Sequence, residues 1–132
     1  MSGTAEISSA DPIRVMVVDD SAVIRGLTTR ILEEDTSLQV VASVGNGQLA
    51  VSNLARYDVD VIVLDIEMPV MDGLQVLKLL QPKYPDIKFI MVTANDSVSK
   101  MMDSMMNDAF DYVPKPINFD VLEEKILSAL GQ

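Results

Sequence analysis

Three short, uninterrupted apolar runs constrain the fold most: Val15-Met16-Val17-Val18, Val61-Ile62-Val63-Leu64 and Phe89-Ile90-Met91-Val92. Each is too short for an ordinary helix and lacks the alternation of a strand with one wet face. Each therefore reads as a strand buried on both sides, as in a parallel sheet covered by helices. Weaker strands are expected at Val40 to Val44, interrupted by Ala42 and Ser43, and at Tyr112-Val113, where Pro114 suits a sheet edge. Between the strands, helical spacing recurs at Val23, Leu27 and Ile31, at Leu74, Leu77 and Leu80, and at Phe119, Leu122, Ile126 and Leu130. Asn46, Asp72, Asp96 and Asn118 stand where N-caps would satisfy free amides, and Pro82 marks the end of the third helix. Strand and helix alternate five times, so the expected fold is α/β: a doubly wound (βα)5 flavodoxin-like three-layer sandwich with parallel strand order 2-1-3-4-5. Residues 1–11, small and polar, are expected to form a flexible leader, and residues 12–132 one domain.

In such a sheet, ligands bind beyond the carboxyl ends of the strands, near the point where strand order reverses. Those ends carry Asp19-Asp20, Asp65, Thr93 and, after the fifth strand, Lys115. One Asp after a strand is ordinarily a helix cap, but three acids, a hydroxyl and an ammonium on one rim need another account. The acids would repel one another unless a cation were present, and Mg2+ accepts carboxylate ligands while leaving room for phosphate oxygens. Calcium is the alternative, although no EF-hand loop is present. With no Cys and no His, thiol and imidazole-assisted nucleophiles are excluded, which leaves a carboxylate ahead of a hydroxyl or Lys. Asp65 is the expected nucleophile. Lys115 is expected to be a second positive charge offsetting the phosphoryl oxygens. The formal charge of −10 argues against nucleic acid or an anionic membrane as partner. No signal peptide or bilayer-length apolar run is evident, so a cytoplasmic location is expected.

The segments VVDDSAVIRG, LDIEMPVMDGL, Thr93-Ala94 and YVPKP at 112–116 resemble the receiver domains of bacterial response regulators, over Ile13 to about Leu130. Up to Leu74 the wording is especially similar to the regulatory domain of chemotaxis methylesterases of the CheB type. The resemblance implies magnesium held directly by Asp20 and Asp65 and by the main-chain carbonyl of Glu67, with Asp19 acting through water. It implies phosphorylation of Asp65 by a sensor histidine kinase or phosphotransfer protein. Thr93 and Tyr112 would be the switch pair, read by a downstream protein at the face of helix 4, strand 5 and helix 5. It further implies a cis Lys115-Pro116 bond and a monomer or phosphorylation-dependent dimer. With no catalytic domain evident, a non-enzymatic receiver is expected, stand-alone or else a fragment of a longer regulator. Glu67 and Asn95 occupy positions that tune phosphoryl lifetime in the family, and the Glu67 carboxylate is expected to crowd an attacking water. Met101, Met102, Met105 and Met106 form two pairs at spacing four, one expected to fill the core beneath the fourth helix and the other to lie exposed. Two competitors are a haloacid-dehalogenase-like phosphatase, whose Asp-x-Asp-x-Thr motif is absent, and a pseudo-receiver that binds partners without phosphorylation.

Overall fold

A computed structural model describes residues 11–94 and 98–131. Its strands are β1 (Ile13–Val18), β2 (Leu38–Val44), β3 (Val61–Asp65), β4 (Lys88–Ala94) and β5 (Asp111–Lys115). Its helices are α1 (Ala22–Glu33), α2 (Gly47–Leu54), α3 (Gly73–Leu80), α4 (Val98–Met106) and α5 (Phe119–Ala129). The strands form one parallel sheet in the order β2-β1-β3-β4-β5, as the alternation predicts. The expected leader, the Asp96 cap and Asn95 lie outside the described residues, apart from Asp11.

The apolar runs are uninterrupted because successive residues serve opposite layers. Val15, Val17, Val61, Val63, Ile90 and Val92 pack with Leu32 of α1 and with Leu122, Ile126 and Ala129 of α5. Met16, Val18, Ile62, Leu64, Phe89 and Met91 pack with Ala50 and Leu54 of α2 and with Val76, Leu77 and Leu80 of α3. The weak strands are the edges. In β2 the register against β1 slips between Val15 and Met16, leaving Val41 as an extra residue. Pro114 lies within β5, where its missing N–H faces no further strand.

Asn46, Asp72 and Asn118 cap their helices as expected, through side-chain oxygens that accept from Leu49, Gln75 and Val121 amides. Asp72 and Gln75 complete a reciprocal capping box. Ser21 caps α1 in the same way.

Two helix faces depart from expectation. On α1 the buried residues are Thr28 and Leu32, with Leu27 and Ile31 only flanking them and Val23 exposed. The inward stripe runs one position further along the helix than the apolar spacing suggests. On α4 neither Met pair fills the core. The buried residue is Ser104, whose hydroxyl donates to the Lys100 carbonyl at 2.8 Å and so needs no other partner. A small inward residue leaves Met102, Met105 and Met106 exposed and Met101 partly so.

Candidate functional site at the carboxyl rim of the sheet

Each site residue is set by the end of a strand. Asp19 follows β1, and its amide donates to Val44 O at 3.1 Å while its Oδ1 accepts from the Ser21 amide at 2.8 Å. Asp20, next in the chain, is exposed. Asp65 ends β3 and is 1 % exposed. Gly73 opens α3 directly against it, where a Cβ would collide with the Asp65 main-chain carbonyl. Carboxylate oxygens of Asp19, Asp20 and Asp65 lie within 4.8 Å of one another.

Lys115, at the end of β5, brings Nζ to 2.7 Å from Asp65 Oδ1 and 3.3 Å from Glu67 Oε1. The peptide bond that follows Lys115 is cis, as expected. Apart from this ion pair, neither side-chain oxygen of Asp65 has a hydrogen-bond partner among the described residues. Burial foremost, with Asp19 and Glu67 adding repulsion against the pull of Lys115, pushes the Asp65 carboxyl up to about 6. Asp19 is raised too, again chiefly by burial. For Lys115, burial works to lower the ammonium pKa, but Asp65 and Glu67 outweigh it and the net shift is upward. Two buried oxygens and a clustered set of acids, with one ammonium among them, make an oxygen-rich site short of positive charge. That donor chemistry fits a hard divalent cation.

The Glu67 side chain shares Lys115 with Asp65 and gathers further donors of its own. Its Oε2 accepts from Thr93 Oγ1 at 2.8 Å and from Lys100 Nζ at 3.3 Å, and its Oε1 accepts from the Ala94 amide at 3.0 Å. Burial alone would raise this carboxyl, but the bonds from Thr93, Lys100 and Lys115 hold it below its ordinary value. Thr93 is wholly buried. Tyr112 is separate from this constellation. It is half-buried on β5, with the Lys125 ammonium 5.4 Å from its ring centroid, and it lines a shallow apolar groove with Val98 and the four α4 methionines.

Two cations escaped the sequence reading. Arg25 Nη1 donates to the Asp19 carbonyl at 2.7 Å, tying down the loop that bears two acids. Gly45 leaves room for that guanidinium, since a Cβ there would lie 3.1 Å from Nη1. The signal for Arg25 was its place one turn after Ser21, because side chains lean toward a helix N-terminus. Lys100 carried no such signal. Beside the acids, Ile24, Leu27, Pro116, Ile117 and Phe119 form an apolar margin.

The family profile described as "Response regulator receiver domain" matches residues 15–127. The chain belongs to the response regulator receiver family. The receiver is 55 % identical over 111 residues, 83 % of its length, to a protein-glutamate methylesterase/protein-glutamine glutaminase of Azospirillum brasilense. It is 67 % identical over 82 residues, 62 % of its length, to one of Rhodospirillum rubrum. It covers 28 % and 21 % of those relatives, so it spans about a quarter of their length. Among solved structures, the response regulator domain of Thermotoga maritima CheB superposes with a TM-score of 0.84 at 33 % identity, covering 92 % of this receiver and 98 % of that chain. A CheY-like receiver of Methanospirillum hungatei gives 0.83 at 28 % identity, covering 91 % and 94 %. Receiver domains bind Mg2+ through an acidic pocket, and Asp19, Asp20 and Asp65 form such a cluster here. No helix among the described residues is long and apolar enough to cross a membrane.

Proposed function

We propose that this receiver accepts a phosphoryl group on Asp65 from a phosphohistidine of a sensor kinase or phosphotransfer protein, and that the modification is read at the α4-β5-α5 face. The observation that carries this reading is Asp65 itself: a buried carboxylate with an unpartnered Oδ2, two further acids within 4.8 Å and Lys115 at 2.7 Å. An ionised Asp65 oxygen attacks phosphorus. The new P–O bond forms as the P–N bond breaks, and the electron pair stays on the imidazole nitrogen. With a carboxyl near 6, Asp65 is mostly ionised at neutral pH even before a cation is added. Lys115 offsets charge on the phosphoryl oxygens, and Thr93 supplies a hydroxyl donor. Asp20, Asp65 and the Glu67 carbonyl would hold Mg2+, with Asp19 acting through water; when bound, the ion neutralises the acids and the incoming phosphoryl oxygens. The apolar margin of Ile24, Leu27, Pro116, Ile117 and Phe119 offers the donor protein a dry contact.

Residues 12–132 are taken as the signalling unit, with 1–11 outside it, in the cytoplasm. Thr93 and Tyr112 form the switch, and the Met-lined groove beside Tyr112 is the surface that changes. The names of its relatives make a methylesterase/glutaminase unit the target we assign to that surface, in place of an independent, stand-alone role. Exposure to acetyl phosphate and Mg2+ tests the chemistry by intact mass: a phosphoryl gain in wild type, absent in Asp65→Asn, is expected. Sustained turnover of diverse phosphate esters would instead indicate a phosphatase. No uptake would indicate a pseudo-receiver.

A further inference from the structure

The donors gathered around the Glu67 carboxylate include the hydroxyl and the ammonium that a phosphoryl group on Asp65 would call on. Thr93 Oγ1, the Ala94 amide, Lys100 Nζ and Lys115 Nζ all converge on its two oxygens. Lys115 also touches Asp65, so Glu67 and the acceptor carboxylate share one ammonium. Thr93 is wholly buried and its hydroxyl donates to Glu67.

We infer that the Glu67 carboxylate is an internal stand-in for the phosphoryl group, occupying its donors in the unmodified receiver and displaced when Asp65 is phosphorylated. The inference rests on the reading of Asp65 as phosphoryl acceptor. The sequence expectation assigned the Glu67 carboxylate, as distinct from its main-chain carbonyl, a part only after phosphorylation, against attacking water; the geometry engages it beforehand. Two anions cannot share Thr93, Ala94 and Lys115 without losing bonds and repelling each other. Displacement therefore sets Thr93 free to turn to the phosphoryl oxygen. Because Lys100 belongs to α4, the departing carboxylate shifts or releases the first turn of that helix, which borders the Met-lined groove. When the phosphoryl group leaves, Glu67 returns and resets the site. Glu67 is thus a positioning residue and an intramolecular competitor.

The test is a beryllium fluoride titration at saturating Mg2+, read from the Ala94 amide by NMR. In Glu67→Gln, the half-saturating concentration is expected to fall about tenfold, the equivalent of one charge-assisted hydrogen bond no longer in competition. Removing any nearby acid would also favour an anion, so Lys100→Met supplies the opposing case. It deletes a positive charge, which by field alone would weaken anion binding. Loosening the competitor instead lowers half-saturation, by about twofold for a partly exposed ion pair. An unchanged value in Glu67→Gln, or an unchanged or weaker response in Lys100→Met, overturns the inference. Phosphoryl uptake from acetyl phosphate keeps the two readings apart: uptake by wild type with flat titrations overturns the stand-in alone, whereas no uptake by wild type or Glu67→Gln overturns the Asp65 reading and the stand-in with it.

Discussion

Asp65 binds a proton more readily in the folded chain, near 6, than at its ordinary value of 3.8. Between those pH values the folded state holds the extra proton, so stability is greatest below the window, declines through it and stays lower above it. At neutral pH this carboxylate costs the metal-free receiver about 3 kcal/mol. In chelator at neutral pH, Asp65→Asn is expected to melt above wild type, with the gain disappearing below about pH 4 in paired thermal scans. Mg2+ should raise the melting temperature of wild type more than that of the variant. Val70 stores a different cost: a β-branched residue at φ 70° with its side chain fully in solvent. Val70→Gly should add about 1 kcal/mol, seen as a higher urea midpoint at unchanged slope. The acids, Thr93 and Lys115 were legible in the sequence because strand ends mark the rim of a parallel sheet. The partners of Glu67 were not, since Thr93 and Lys100 lie 26 and 33 residues away and no local pattern encodes their meeting. The φ of Val70 was equally hidden, because its side chain argues against the backbone it adopts.

At the scale of elements, the existence of the helices was easier to read than their orientation. Asp72 shows why caps are legible: a short polar side chain before an apolar run has a local purpose, and the capping box with Gln75 fulfils it. Asp72→Ala should cost about 1 kcal/mol by chemical denaturation, while Asp65 still takes a phosphoryl group. The faces of α1 and α4 were misread because apolar spacing was equated with burial. Thr28 and Ser104 go inward instead, a choice made by the space available beneath each helix. The consequence differs between neighbours. Helix α3 buries Val76, Leu77 and Leu80, whereas α4 buries Ser104. With so little apolar surface removed from water, α4 should open at low free energy. Hydrogen exchange is expected to label α4 amides well before those of α3.

For the whole molecule, strand order followed from the βα alternation, right-handed crossovers and weak strands suited to edges. That topology gathers the chemistry on one rim and gives β5 two tasks, because Lys115 faces Asp65 while Tyr112 borders the Met-lined groove. The coupling proposed between rim and groove rests on resemblance, because no local pattern fixes how α4 seats beside β5. The exposed sulfurs of that groove carry a chemical vulnerability that the interior does not share. Met106 is 79 % exposed, while Met16 and Met91 are fully enclosed. A mild peroxide pulse followed by peptide mass spectrometry should find sulfoxide on Met102, Met105 and Met106 long before Met16 or Met91. Each oxidation turns an apolar contact into a polar one, so oxidative damage would rewrite the Met-lined groove while leaving the enclosed acids of the rim untouched.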